Sequence, residues 1–189
     1  MGKVLKGPSL FIYPLPTLLI GANVDGKPNF LTAGAVGIAN GTPPMISVAI
    51  RPKRYTHKGI IQNQSFSVNV PSVDLVKETD YCGIVSGTRA DKVDKCKFKV
   101  FYGKLGTAPL IEQCSINLEC KVAHVLKLDS HSLIIGRVEE TYISDECLTN
   151  GEPDIDKIRP IIYTVEPDCR YVAYGKVIGK AFSIGCELS

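Results

Sequence analysis

The sequence lacks the segments that carry proteins into or across membranes. No stretch approaches the roughly 18 consecutive apolar residues that mark a membrane-spanning helix. No apolar segment follows the basic residues Lys3 and Lys6 near the N-terminus, so a secretory signal is not predicted. We therefore expect no membrane partner, and we expect the protein to be cytoplasmic.

The common nucleotide-binding and hydrolase motifs are also missing. No G-x-G-x-x-G follows a strand, and G-x-x-x-x-G-K-[ST], G-x-S-x-G and H-E-x-x-H do not occur. These patterns carry the Rossmann fingerprint, the P-loop, the nucleophile elbow and the zinc-protease site. His57, His124 and His131 are widely spaced, and no C-x-x-C joins the seven cysteines. We therefore predict no metal site, and we expect most of the cysteines to be small buried apolar side chains.

Charge and length set further limits. The net charge is only +3, with 22 basic residues scattered among 19 acidic ones, so no electrostatic footprint for nucleic acid is present. The chain has 189 residues, 44% of them hydrophobic and 22% charged, which is typical of a folded globular protein. We expect one domain over residues 1–189.

Strand signals dominate the chain. Asp25 and Gly26 supply a turn that joins the first two apolar runs into a hairpin. The predicted strands are Thr17–Val24, Asn29–Ile38, Met45–Ile50, Phe66–Val70, Ile116–Leu128 and Leu133–Ile143. Many short strands with few helices favour a closed or nearly closed antiparallel barrel, because closure removes exposed sheet edges.

Other local signals are sparse. Thr56 is predicted to cap a short helix that runs through Gln62, and Ser72 to cap another that runs toward Cys82. His124 lies on the apolar face of the predicted strand Ile116–Leu128, which favours a hydrogen-bonded core histidine over a ligand. The segment from Ser144 to Lys157 is interpreted as a surface loop.

Two short segments could bind an anion. The first, Arg51 to Thr56, follows a strand and precedes a predicted helix start, where unpaired N–H groups and basic side chains suit a dianion. The second, Ser86 to Lys92, combines small residues with Arg89 and Lys92, so its backbone amides could converge on an anion. A solvated charge run and an ordinary loop after a helix are the alternatives.

The order of these segments resembles the flavin reductase-like family of FMN-binding split barrels, which includes flavoredoxin. The resemblance covers most of residues 10 to 140, and Pro160–Tyr163 with Tyr171–Gly175 resembles the family's closing segment. The matching segments are Pro28–Thr32, Pro43–Val48, Arg54–Thr56, Phe66–Pro71, Cys82–Gly83, Ser86–Gly87, Asp91–Lys92 and Ser130–Gly136.

The resemblance implies a mostly β, six-stranded antiparallel split β-barrel of Greek-key-like topology with a few short helices. It also implies a homodimer with FMN near the subunit interface. In this interpretation Arg54, Thr56 and Lys92 hold the FMN phosphate. Asn29, Thr32, Ala33 and Ser47 line the ribityl chain and the ring, while Cys82, Gly83 and Ser86 approach from the helix side.

The same resemblance implies an oxidoreductase that passes electrons from NADH, NADPH or a protein donor through flavin to an acceptor. Asp129-Ser130-His131 stands where many reductases of the family have Gly-Asp-His, which places His131 near the nicotinamide side of the flavin. A non-catalytic barrel that stores or senses flavin is one alternative. A structural barrel that binds a protein partner through its basic loops is another.

Overall fold

The computed structural model describes residues 2–188, and strands make up most of its regular structure. In chain order the strands are β1 (Leu15–Pro16), β2 (Leu18–Val24), β3 (Lys27–Ala33), β4 (Val36–Asn40), β5 (Met45–Ile50), β6 (Ser65–Val70), β7 (Val100–Phe101), β8 (Leu110–Ile111), β9 (Ile116–Lys127), β10 (Ser132–Ile143), β11 (Leu148–Thr149), β12 (Glu152–Pro153), β13 (Ile161–Tyr163) and β14 (Tyr171–Ala173). The α-helices are α1 (Tyr55–Asn63), α2 (Val76–Ile84), α3 (Lys92–Lys95) and α4 (Ile155–Ile158).

The main sheet is antiparallel and follows the order β3-β2-β6-β9-β10-β5-β4. Its two edge strands, β3 and β4, are consecutive in the chain and are separated only by Gly34 and Ala35. The sheet must therefore curl until its edges approach each other, which produces a barrel that stays open along the line between β3 and β4. The predicted mostly β split barrel is confirmed. The run Asn29–Ile38, predicted as one strand, forms two because it bends at Gly34, and counting that run once gives six strands.

Side-chain alternation along the strands divides the apolar residues between two sides of the sheet. Ile20 and Leu31 pack in the large cluster that also contains Phe66. Their chain neighbours Leu19 and Phe30 point the other way, into a cluster beside α2. This second cluster holds α2 against the outer face of β3.

Helix α1 lies close to β2 because the buried residue Gly59 has no side chain. A Cβ there would stand 2.9 Å from Val24 Cγ2 and would overlap the Asn23 carbonyl. The N-terminus of α1 meets the end of β5 and the loop that follows α2. These three elements form the site described below.

Four local predictions were wrong. Ser72 makes no side-chain capping bond, and the N-cap residue of α2 is Leu75. Thr56 does not cap α1, because Arg54 occupies the N-cap position and Thr56 is the second helical residue. His124 is exposed, because β9 gains an extra residue beside the register shift at Ile135 and Gly136 and then ends on exposed residues. The segment from Ser144 to Lys157 contains β11, β12 and part of α4 instead of a plain loop.

The cysteine prediction agrees with the structure for four of the seven thiols. Cys82, Cys114, Cys120 and Cys147 are buried, Cys96 is half-buried, and the remaining two are exposed. In the part of the chain described here, no helix combines the length and the apolar character needed to cross a bilayer.

Candidate functional site

A cavity of about 270 Å³ lies where the end of β5, the start of α1 and the loop after α2 meet. Its lining residues come from both predicted anion-binding segments and from β3. They are Asn29, Leu31, Arg51, Lys53, Arg54, Tyr55, Thr56, Val85, Ser86, Gly87 and Lys92. The lining contains four cationic side chains and no carboxylate, and none of these four forms an ion pair within residues 2–188. We call it the phosphate cavity for its charge.

The start of α1 adds to this positive field. Arg54 is the N-cap residue but makes no side-chain capping bond, and the first turn contains no acidic residue. The first backbone N–H groups of a helix have no partner inside the helix, and its N-terminus has a partial positive charge. Because Tyr55 and Thr56 line the cavity, these donors and this charge are placed to bind an anion.

The floor of the cavity is a tightly packed polar contact. The buried Asn29 Nδ2 donates to Thr56 Oγ1 at 2.6 Å, which joins β3 to α1. Gly87 lies directly over this pair, since a Cβ at Gly87 would overlap Asn29 Oδ1 and would stand 2.6 Å from Tyr55 Cδ1. The loop can approach α1 this closely only with glycine at position 87.

Arg54 links the phosphate cavity to its neighbour. Its Nη1 donates to Gly83 O at 2.9 Å. Its side chain lines the phosphate cavity on one side and a second cavity, described below, on the other. A guanidinium has five N–H donors, so this single bond leaves most of them available. Ser86 also lines the phosphate cavity, and its Oγ accepts from Thr88 N at 3.3 Å within the loop.

Lys92 is placed differently from an ordinary surface lysine. It is 4% exposed, and its Nζ donates to Phe30 O at 2.7 Å and to Cys82 O at 2.9 Å. Burial is the main cause that lowers the pKa of this ammonium, and Arg54 adds to the lowering. Two of its three hydrogens are used by these carbonyls, which leaves one for a ligand. Lys92 also lines a third cavity, together with Arg89.

A second cavity, of about 320 Å³, lies on the other side of Arg54. It is lined by Thr17, Thr32, Gly34, Arg54, Asp80, Gly83, Ile84, Tyr163, Cys169 and Tyr171. The rings of Tyr163 and Tyr171 are 5.9 Å apart between centroids, on the neighbouring strands β13 and β14. We call it the tyrosine cavity, since its aromatic side chains suit a planar ligand.

The hydroxyl groups of the tyrosine cavity are mostly engaged within the protein. Tyr171 OH donates to Asp80 Oδ1 at 2.9 Å, and burial followed by this bond raises its pKa. Tyr163 OH donates to Cys169 Sγ at 3.5 Å, and this bond, followed by burial, raises the Tyr163 pKa to about 12. Both phenols are therefore protonated donors at neutral pH.

The structure brings together most of the predicted site residues, but not all of them. Thr32 and Gly83 line the tyrosine cavity, and the Thr32 hydroxyl donates to Thr79 O. Ala33, Ser47 and Cys82 line neither cavity. Ala33 packs in the barrel core, and Ser47 Oγ on β5 donates to Gly37 O at 3.2 Å. The Cys82 thiol is buried in the cluster beside α2, where burial raises its pKa, so only its carbonyl serves the site, through Lys92.

His131 immediately precedes β10 and lines neither cavity. Ser132 pairs with Ile50 at the end of β5, and continuing this register places His131 beside Arg51. His131 Nδ1 is 2.8 Å from Ser130 Oγ. On α1, His57 Nε2 is 3.0 Å from Ser132 Oγ, and burial lowers the pKa of His57.

Sequence reasoning missed much of the lining of the tyrosine cavity. Thr17 precedes β2, Asp80 lies on α2, and Tyr163, Cys169 and Tyr171 belong to or join β13 and β14. The available signal was the pair of segments Pro160–Tyr163 and Tyr171–Gly175, which matched a family's closing segment but suggested no role. No group of three His, Cys, Asp or Glu side chains among residues 2–188 is arranged to hold a metal ion.

Comparisons with known proteins give one family match and several similar proteins. Residues 10–164 match the family described as flavin reductase like domain. The structure of flavoredoxin from Methanosarcina acetivorans superposes with a TM-score of 0.95 at 42% identity, covering 100% of both chains. Flavoredoxin of Desulfovibrio vulgaris (Miyazaki F) gives a TM-score of 0.91 at 33% identity over 98% of this chain and 100% of that one. An uncharacterized protein of Archaeoglobus fulgidus is 34% identical over 77% of this chain and 81% of its own.

Proposed function

This chain belongs to the flavin reductase-like family, and we propose that it is an FMN-binding electron-transfer protein of the flavoredoxin type. The observation that carries the proposal is the phosphate cavity. Four cations without an ion-pair partner surround an uncapped helix start, and no carboxylate lines the space. A phosphate dianion is the ligand that this arrangement suits best.

The two cavities together suit the two ends of FMN. Arg54, the first amides of α1 and the remaining Lys92 hydrogen would hold the phosphate, with Asn29 and Thr56 beneath it. The flavin ring would extend past Arg54 into the tyrosine cavity, beside Thr32, Gly83 and Tyr163. Ala33, Ser47, Cys82 and Ser86 stay predictions for the ribityl and ring contacts. When bound, FMN supplies the ability to accept hydride and to pass electrons on.

The protein's own contribution is to bind the flavin, to orient it and to shield it from solvent. The engaged phenols of Tyr163 and Tyr171 keep fixed positions because their hydroxyls are bonded to Cys169 and Asp80. Hydride transfer requires the reacting atoms to be held about 3 to 3.5 Å apart in line, so a rigid pocket favours it. The oxidoreductase class follows from the family, whereas NADH or NADPH as donor belongs to the proposal.

We expect the purified protein, or the protein reconstituted with FMN, to contain about one flavin per chain. Isothermal titration calorimetry and visible absorbance measure this directly. Riboflavin, which has no phosphate, should bind more weakly, because it leaves the cations of the phosphate cavity without a partner. A colourless protein that binds no FMN in the calorimeter would contradict the proposal and favour a structural barrel.

We further expect His131→Ala to keep FMN affinity and thermal stability but to slow flavin reduction several-fold at subsaturating NADH or NADPH. An imidazole beside Arg51 can donate a hydrogen bond that positions the incoming nicotinamide. The measurement is the anaerobic loss of flavin absorbance in a stopped-flow instrument, with the exposed His124→Ala as control.

Equal reduction rates in His131→Ala and the parent would exclude His131 and favour a protein electron donor. An FMN-loaded protein that neither nicotinamides nor a reduced electron-carrier protein can reduce would favour the alternative function, flavin storage or sensing.

A cytoplasmic location stays a prediction from the sequence.

We also propose a homodimer with FMN near the interface. The described chain exposes large apolar side chains on β4, on the projecting end of β9 and in both terminal segments, including Ile38 at 84% and Leu126 at 57% exposure. Exposed large apolar side chains favour association with another protein surface, and symmetric dimers are the commonest assembly. Light scattering of the FMN-loaded protein should give twice the chain mass of 20.5 kDa.

A further inference from the structure

Thr17 presents a buried hydroxyl for which the described protein provides no partner. The residue is 2% exposed, and its Oγ1 makes no hydrogen bond within residues 2–188. A buried hydroxyl without a hydrogen bond destabilises a folded protein, because the loss of its hydration is not compensated. Such a group is therefore expected to have a partner that the chain alone does not contain.

The position of Thr17 indicates where that partner lies. Thr17 lines the tyrosine cavity, at the junction of β1 and β2, where its backbone N donates to Ile161 O at 3.1 Å. The other hydroxyls of this cavity are engaged, since Thr32, Tyr163 and Tyr171 donate to Thr79 O, Cys169 Sγ and Asp80 Oδ1. Thr17 is thus the buried hydroxyl of the cavity that remains available to a ligand.

We propose that Thr17 is a ligand-binding residue whose hydroxyl donates to a ring carbonyl of the flavin. This inference rests on the proposed function, because it assumes that the flavin ring enters the tyrosine cavity. The pyrimidine edge of the ring has two carbonyl oxygens, and Thr17 would hold a flavin bound in this cavity by donating to one of them. Hydrogen bonds at that edge also tune the electronic properties of the flavin.

The proposal predicts that Thr17→Val, which has the same shape but no hydroxyl, increases thermal stability without ligand and decreases FMN affinity. Without ligand, the variant should have a higher midpoint of thermal denaturation than the parent, because an unpartnered polar group has been removed. With ligand, its FMN affinity should fall about 3- to 10-fold, as expected for one neutral hydrogen bond. Thr17→Ser, which keeps the hydroxyl, is the matched control and should stay close to the parent in affinity.

Two further readouts locate the contact on the ring. The affinity ratio of FMN to riboflavin should be the same in Thr17→Val and the parent, since both ligands have the same ring. The visible absorbance maximum of bound FMN should shift in Thr17→Val but not in Thr17→Ser, because the hydrogen bond to the ring is lost only in the first.

Each outcome decides between the proposal and its alternatives. If the parent protein binds no FMN, the proposed function fails before Thr17 is tested. If the parent binds FMN and Thr17→Val binds it equally well, the assignment of Thr17 is overturned. A Thr17→Val protein that is less stable without ligand, or that does not fold, would also overturn it, because the hydroxyl would then serve the fold.

Discussion

Replacing Arg54 by alanine is expected to weaken FMN binding by about 10- to 100-fold while leaving the fold largely intact. A hydrogen bond to a charged group contributes roughly 1.5 to 3 kcal/mol, and each ~1.4 kcal/mol is tenfold in affinity. The Arg54 side chain is exposed, and its hydrogen bond to Gly83 O joins two surface segments. Its removal should therefore cost binding far more than stability. Calorimetric titration with FMN, together with a thermal denaturation curve, measures both quantities.

The comparison with riboflavin makes this test specific for the phosphate. Riboflavin affinity should change much less than FMN affinity in Arg54→Ala, because riboflavin has no dianion for the guanidinium to bind. Arg89→Ala is the matched control, since Arg89 lies on the nearby loop and lines the third cavity instead of the first. An equal or larger loss of FMN in Arg89→Ala would move the phosphate to that third cavity.

The parts of the fold that could be predicted are those with a local signal. The strand Met45–Ile50 was predicted with the bounds that the structure has, because its apolar run ends at Pro44 and at the basic segment that begins with Arg51. The bend at Gly34 could not be predicted, since the two halves of Asn29–Ile38 separate only when the sheet curls and places them at opposite edges.

The same distinction applies to the site. The segment from Arg51 to Thr56 is contiguous, so its charge pattern after a strand and before a helix was visible in the sequence. The tyrosine cavity joins Thr17 and Asp80 to Tyr163 and Tyr171, and these residues meet only because β1 pairs with β13 and β13 with β14. Each of them has an ordinary structural meaning in its own segment, so no local pattern marks them as one site.

Lys92 shows how tertiary contacts change the role of a residue that the sequence had identified. A lysine in a polar loop is normally exposed, and the sequence suggested only that it adds charge to an anion site. The structure instead buries it between β3 and α2, where its ammonium joins the Phe30 and Cys82 carbonyls. The backbone positions that accept these bonds cannot be read from the loop that contains Lys92.

Lys92→Met is therefore expected to affect stability as well as binding. The variant leaves two backbone carbonyls without their charged donor. We expect this loss to lower the free energy of unfolding by about 2 to 4 kcal/mol. The figure is a net value, because the variant also avoids the cost of burying an ammonium. FMN affinity should also fall, because the cavity loses a cation and α2 loses its tie to β3. Lys95→Met, an exposed change on the same helix α3, should stay within about 0.5 kcal/mol of the parent.

The pH dependence separates the buried ammonium from a general packing effect. Burial lowers the pKa of Lys92 below its usual 10.5, so at alkaline pH the folded chain releases this proton before the unfolded chain does. The unfolded state then binds more protons, and the contribution of Lys92 to the free energy of unfolding becomes more favourable as the pH rises from the lowered folded pKa toward 10.5. Lys92→Met should lack this increment, whereas Lys95→Met should keep it. Parallel stability curves for the parent and Lys92→Met between neutral and alkaline pH would show that the loss of stability comes from packing alone, with no contribution from the ammonium.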